Sequence, residues 1–326
     1  MNPLVSVVVT TYNQAPYIHQ ALQSVFDQTY PNFEVIVVDD GSTDDTPTKL
    51  GPFMDRIVYV RHENRGIAAS RNAGIQKAKG EFIALLDGDD LWEREKLSVQ
   101  VAAAQQYPHS GLTVVDGIEF DETGILRQSV IAVPHAKNFL SSSEDVYVSG
   151  PCYRLLVEGN FIFTTSQVMI PVRVLESVGL SDTKFRLASD YDLYLRIAAK
   201  YHVTFVKLPL VRHRHHSARA SGPMDLRVIR FGVEVIKVLQ KHSQMAPVNY
   251  QSWIFSHIRA QRFYFAQNAY HYGRAKDRAL ATRFLLRLLR ASHCLATLSF
   301  LIGLWCPQRV AKAIGPVARK VFGFKT

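Results

Sequence analysis

With 47% hydrophobic and 20% charged residues, the 326-residue chain has the balance of a globular protein, one large domain or a domain with an extension, which excludes disordered and fibrous classes. Cys152, Cys294 and Cys306 form no CxxC pair and have no histidine at zinc-ligand spacing, so neither a disulfide framework nor a zinc site is expected, and a reducing cytoplasm is the natural compartment. The net charge of +10 is concentrated at one end: residues 207–326 hold 21 Lys and Arg against 3 Asp and Glu, which implies an anionic partner such as a phospholipid surface, a polyprenyl phosphate or nucleic acid.

The opening "MNPLVSVVVTTYN" lacks a basic leader and a small-residue cleavage site, and its apolar run is too short to span a bilayer. It reads as a first strand. To about residue 120, apolar β-branched runs ("LVSVVVT", "FEVIVVDD", "RIVYVRHE", "EFIALLD") alternate with helical patterns ("YIHQALQSVFDQ", "DDTPTKLGPF", "GIAASRNAGIQKAKG"). Strands separated by crossover helices predict a largely parallel sheet covered on both faces, with ligands beyond the carboxyl ends of the strands. Three strands end in polar clusters, Thr10 to Asn13, Asp39 to Ser42 and Asp87 to Asp90, which places all three on one rim. A helix is expected at 93–106, a strand at 112–116, an irregular stretch to 150, a strand at "SQVMIP", and helices at "VRVLESVG" and "RLASDYDLYLRIAAKYH". From about 225 onward the pattern is helical and basic. In "TRFLLRLLR", Arg283, Arg287 and Arg290 lie on one side, and Phe284, Leu285, Leu288 and Leu289 largely on another.

"LLDGDDLW" sets three carboxylates directly behind an apolar strand, a costly arrangement unless a cation or a polar ligand balances it. A D-x-D array at a strand end can hold a divalent cation through oxygen ligands and leave positions for a diphosphate. The plainer reading makes Asp89 or Asp90 the N-cap of a helix beginning near Trp92. "VVDDGSTDDT" explains itself as turn and cap chemistry except for the pair Asp39 and Asp40, where a carboxylate can accept from a nucleobase N–H or a ribose hydroxyl. "ENRGIAASRNAG" opens a helix whose N–H groups, with Arg65 or Arg71, can approach an anion. There is neither a GxG nor a GxxxxGK pattern here, against a dinucleotide Rossmann site or a P-loop. Asp190 and Asp192 form a second acidic pair, of which one carboxylate can act as general base; the plainer readings are a helix cap for Asp190 and a satisfied surface acid for Asp192. His213, His215 and His216, among Arg212, Arg214 and Arg219, read either as a solvated basic loop or as ligands for a cation and a phosphate.

Taken together and in order, "VSVVVTTYNQAPYIHQALQSVFDQTYPNFEVIVVDDGSTDDT", "NRGIAASRNAGIQKAKGEFIALLDGDD", "SDYDLYLRIA" and "VRHRHHSARAS" resemble the inverting family 2 glycosyltransferases. The resemblance covers residues 3 to 222. It implies an α/β fold of the GT-A kind, a Rossmann-like, mostly parallel sheet flanked by helices, as a catalytic domain over 1–222. A basic helical C-terminal region would follow over 223–326. Thr10, Tyr12, Asp40 and Arg71 match positions that surround the nucleotide. Asp87 and Asp89 match the outer acids of the metal and ribose motif, with Asp89 the metal ligand. Asp190 matches the catalytic base, although the acid that precedes it in the family is Ser189 here. His216 matches a histidine near the metal or diphosphate, and Arg214 a basic residue two positions earlier.

The implied activity is inverting transfer of a sugar from a UDP-, GDP- or dTDP-linked donor to a glycan or lipid-linked acceptor, with Mn or Mg as cofactor, in cell-surface polysaccharide or glycoconjugate assembly. A polyprenyl-phosphate glycosyl synthase and a non-catalytic nucleotide-sugar-binding scaffold are the alternatives. Nucleic acid is a weak candidate partner, since the tail has few interleaved aromatics and no reader motif. Residues 225–326, with Trp305 and "FLIGLW", leave two readings open: a cytoplasmic chain resting peripherally on an anionic membrane face, or a basic helical subdomain packed on the core. No uninterrupted apolar stretch of spanning length is present.

Overall fold

The computed structural model of the chain describes residues 2–131, 136–216, 224–246, 248–275 and 278–292, and divides it into two compact units, residues 1–216 and 217–326. The first unit is built on strands β1 (Val5–Thr11), β2 (Phe33–Asp39), β3 (Val58–Arg61), β4 (Phe82–Asp87), β5 (Leu91–Trp92), β6 (Ser110–Asp121), β7 (Gly124–Arg127), β8 (Tyr147–Gly150), β9 (Val168–Pro171) and β10 (His202–Arg214). Its helices are α1 (Ile18–Phe26), α2 (Thr46–Leu50), α3 (Ile67–Lys77), α4 (Lys96–Gln106), α5 (Lys137–Leu140), α6 (Tyr153–Glu158), α7 (Val172–Val178) and α8 (Ser189–Ala198).

The strand order is β3-β2-β1-β4-β9-β6-β10-β5, with β7 on β6 and β8 on β10. β1 pairs in parallel with β2 and β4, β2 with β3, and β6 with β10; β9 runs antiparallel between β4 and β6. Six strands therefore point one way, with β9 reversed among them. Every residue of β1 is buried, as an unbroken apolar run covered on both faces requires. α1 closes one face with Ile18, Ala21, Leu22 and Val25, the spacing of a single helical stripe. α3 closes the other and approaches very closely at Gly74, where a Cβ would stand 2.3 Å from Val8 Cγ1. Only glycine fits there.

Several elements depart from the sequence reading. The helix expected from 93 begins at Lys96, because Leu91 and Trp92 form β5 and pair with Arg212 and Val211 of β10. Neither Asp89 nor Asp90 is a helix cap. The strand expected at 112–116 runs from Ser110 to Asp121. The stretch to 150 holds β7, α5 and β8. The basic run beginning at Arg212 is not a solvated loop as far as Arg214: it is the end of β10, flanked by β6 and β5 and carried by buried Val203, Phe205, Val206 and Val211.

The second unit contains α9 (Met224–Met245), α10 (Val248–Ala275) and α11 (Arg278–Ser292), packed on one another. Ile236 and Leu239 of α9, Ile254, Ala266 and Ala269 of α10, and Phe284, Leu285 and Leu288 of α11 are buried. Thus α11 spends its apolar stripe inside the protein, while Arg283 is exposed. Among the described residues no helix is long and apolar enough to cross a membrane. The side chains of Arg287 and Arg290, Trp305 and the "FLIGLW" segment fall outside what is described.

Candidate active site

The parallel register fixes the rim. Thr10 lies opposite Val38 on one side and Asp87 on the other, and Thr11 lies opposite Asp39, so the polar ends of β1, β2 and β4 stand side by side. Asn13 then turns the chain with φ 52, and its carboxamide oxygen accepts from the Thr43 amide at 2.8 Å, while its own amide donates to Ser42 Oγ at 2.9 Å. The loops after β1 and β2 are thereby tied together. Tyr12, 46% exposed, presents a bare aromatic face at this rim. Asp39 is fully buried and accepts from the Ser42 amide and the Tyr59 hydroxyl, so it is a structural acid. Asp40 accepts from the amides of Arg65 and Gly66 at 2.8 and 2.9 Å, with His62 Nδ1 at 3.3 Å, and so occupies the entrance to α3 with a carboxylate of the chain itself.

Beside it, Arg71 projects from α3 and is buried. Its Nη2 donates to Asp87 Oδ1 at 2.7 Å and to Thr165 Oγ1 at 2.6 Å, and Thr165 in turn donates to Asp87 Oδ2 at 3.0 Å. Burial works against the guanidinium's charge, but Asp87 and Asp190 more than offset it and hold its pKa above the ordinary value. Asp190 sits in the first turn of α8. Burial lifts its carboxyl above the usual range, Arg71 opposes the rise, and Asp87 adds to it. One turn on, the Tyr194 hydroxyl is buried with no hydrogen-bond partner and feels the charges of Asp190, Arg71 and Asp87. A carboxylate whose proton affinity is raised, held beside a fixed guanidinium, has the electrostatics of a general base.

The other two acids of "DGDD" face the end of β10. Asp90 is wholly buried and accepts from Thr164 Oγ1 at 3.0 Å, Ser166 Oγ at 2.6 Å, His213 Nδ1 at 3.0 Å and the Arg214 amide at 3.1 Å. Against its burial, these partners hold its pKa down to about 2. Asp89 meets His216 Nε2 at 3.0 Å. Its pKa is raised, by burial first and then by Asp90 and Asp87, with His216 opposing. Arg214 donates from Nε to the Asp89 carbonyl at 3.0 Å and from Nη2 to Gln20 Oε1 at 2.7 Å, and lies over the rings of Tyr17 and Phe120.

The donor set fits a divalent cation. Asp89 supplies carboxylate oxygens whose negative charge is under-compensated, and His216 keeps a buried Nδ1 with no hydrogen-bond partner. Asp87 is less available, since Arg71, Thr165 and, at 3.4 Å, Thr10 surround it.

The residues named from the sequence therefore fall into three groups: Tyr12 with Asp40; Thr10, Arg71, Asp87 and Asp190; and Asp89, Arg214 and His216. The sequence reading missed Asp90 as the anchor of β10, the Thr164-Thr165-Ser166 run that braces Asp87 and Asp90, and the buried hydroxyl of Tyr194. Thr164 and Gln167 form a capping box around a short 3₁₀ turn, and that T-x-x-Q signal is legible in the sequence. Asp192, the second acid of its pair, accepts from Arg196 Nε at 2.9 Å, and Arg196 also donates to the carbonyls of Val178, Gly179 and Leu180. Asp192 is therefore not a surface acid: wholly buried, it fastens α8 to the end of α7 through Arg196.

Residues 6–157 match the family described as Glycosyl transferase family 2. WcaA of Escherichia coli K12, a glycosyl transferase named for colanic acid biosynthesis, is 32% identical over 204 residues, which cover 61% of this chain and 68% of WcaA. Among solved structures, residues 1–349 of TarS from S. aureus superpose with a TM-score of 0.61 at 17% identity, covering 88% of this chain and 80% of that one. The mannosyltransferase PcManGT of Pyrobaculum calidifontis, solved with GDP-Man and Mn2+, gives a TM-score of 0.56 at 22% identity, covering 98% and 83%.

Proposed function

The chain belongs to glycosyl transferase family 2 and has the GT-A fold, and on that premise we propose that it moves a sugar from a nucleotide-sugar donor to a hydroxyl of a glycan or lipid-linked acceptor, with inversion, in polysaccharide assembly. The observation that carries this reading is the group Arg71, Asp87 and Asp190 on the strand-end rim next to Asp89 and His216. Tyr12 would stack on the base of the donor, with Thr10 and Asp40 lining the same edge. Asp190 would take the proton of the acceptor hydroxyl as that oxygen attacks the anomeric carbon from the face opposite the leaving nucleotide. Arg71 fixes Asp87 and keeps Asp190 ionisable despite its burial. Arg214, held by the Asp89 carbonyl and Gln20, places a positive charge where the diphosphate departs. A divalent cation, Mn or Mg, bound by Asp89 and His216 would neutralise charge developing on that diphosphate. The Mn2+ and GDP-Man bound by PcManGT support both the ion and the donor class.

The test is a donor panel of UDP-, GDP- and dTDP-sugars with Mn or Mg, reading nucleotide release. Release from one donor, lost in Asp89→Ala, is the expected result; no release together with no metal-dependent nucleotide binding by calorimetry would overturn the reading. Product NMR showing a retained anomeric configuration would refute inversion. For the C-terminal unit we propose peripheral contact with an anionic membrane, supported by its charge and by exposed Tyr250, Phe255 and Tyr264 on α10. Absence of salt-sensitive flotation with anionic vesicles would remove that proposal.

A further inference from the structure

A second set of ligand atoms lies at the ends of β6 and β10. Glu119 and His213 face each other in the β6–β10 register, and His215 stands just past the end of β10, its backbone N–H donating to the Phe120 carbonyl at 2.7 Å. One ligand atom from each of the three lies within 4.8 Å of the others, with Glu119 and His213 buried and His215 half-buried. His215 Nε2 stands 2.7 Å from Glu119 Oε1.

The surroundings suit metal ligands. Asp90 accepts from the hydroxyls of Thr164 and Ser166 and from the Arg214 amide, so it acts as an acceptor, and His213 Nδ1 donates to it. That bond selects the tautomer whose Nε2 carries the lone pair, which is how a carboxylate orients an imidazole for a metal. Arg127 Nη1 lies 3.8 Å from Glu119 Oε2, steadying the carboxylate through its other oxygen.

We propose that Glu119, His213 and His215 bind a transition-metal ion of borderline softness, zinc foremost, as a structural clip between the ends of β6 and β10. Two imidazoles and one carboxylate are a zinc donor set, with more nitrogen than Mg favours. An ion about 2.0–2.2 Å from each ligand replaces the His215–Glu119 hydrogen bond with small side-chain shifts. Water completes the coordination. Because His216 follows His215 directly, the clip also fixes the histidine that meets Asp89. The histidines were readable as candidate cation ligands, but Glu119 lies far from them in the chain, so no local spacing joins the three.

The experiment uses the full chain, stripped with a chelator, titrated with zinc and read by metal content after gel filtration and by thermal melting. In Asp89→Asn, which lacks the other cation site, zinc should bind at about one ion per chain and raise Tm. In that background the affinity should fall more than about tenfold on adding Glu119→Gln or His215→Ala, and stay unchanged on adding His216→Ala. His215→Gln keeps a donor for Glu119 and so separates loss of the ligand from loss of the fold; it too should lose zinc. Sub-stoichiometric zinc in the wild type, or binding indifferent to Glu119 and His215, would leave the pair a hydrogen bond alone and overturn the proposal. The readout is metal content, so its failure is distinct from silence in the donor panel.

Discussion

Replacing Asp90 with asparagine should destabilise the catalytic unit by several kcal/mol, and by less as the pH falls. Four donors converge on this carboxylate, from Thr164, Ser166, His213 and the Arg214 amide, and none of its surface reaches water. The depression of its pKa from 3.8 to about 2 corresponds to about 2 kcal/mol of stability at neutral pH, at about 1.36 kcal/mol per unit. The amide also turns an NH2 toward at least one of those donors, which brings the expected penalty at pH 7 to about 3–5 kcal/mol. The sign follows from the depressed pKa: the ionised group stabilises the fold fully above its unfolded pKa, and that contribution is lost as the pH drops toward about 2, roughly half of it by pH 3. Urea unfolding of Asp90→Asn against the wild type at pH 7 and pH 3 tests this. Trp92 serves as reporter in a Trp253→Phe, Trp305→Phe background, since its Nε1 donates to the Ser166 carbonyl beside Asp90. A penalty below about 1 kcal/mol, or one equal at both pH values, would refute the account of Asp90 as an ionised anchor.

Asp190→Asn should lower kcat by about 10²–10⁴ with little change in stability, measured as turnover beside a melting curve. The wild-type pH profile of kcat/KM should show its acid limb above the ordinary carboxylate range, because burial raises the Asp190 pKa and the base must be ionised to work; a limb at about 4 or below would contradict this. Arg71→Met removes the charge that opposes that rise, so any residual activity should have its acid limb moved to still higher pH. Gly74→Ala should destabilise by about 1–3 kcal/mol in chemical denaturation although alanine is the better helix former, since its Cβ has no room against Val8 and Val38.

The parallel core and its polar rim were legible because β-branched runs such as "VSVVVT" and "FEVIVV" have one stable use, a strand covered on both faces. The motif residues Arg71, Asp87 and Asp190 were legible as a set, and the fold brings them together. Other features were hidden for physical reasons. β10 ends in Arg212 and Arg214, part of a run readable as a solvated basic loop, and pairing with β6, β8 and β5 makes it a strand. Asp89 and Asp90 look alike in sequence, yet one approaches a histidine at the rim and the other is wholly buried; no local pattern separates them, because their partners arrive from elsewhere in the chain. Between the strand expected at 112–116 and residue 150 the sequence showed only an irregular stretch, where the structure has β7, α5 and β8.

That distance has a consequence for how the protein is made. The histidine partners of Asp90 and Asp89, on β10 and just past its end, lie 123 and 127 residues downstream, so a ribosome releases the acidic loop long before the histidines that complete it. Until His213 emerges, β4 ends in adjacent carboxylates without their histidine partners, and β6 lacks the parallel neighbour that β10 supplies. Chains broken off short of β10 therefore lack the His213 and Arg214 donors that satisfy the buried Asp90, so a copy that stops before that strand leaves its acidic loop unsatisfied.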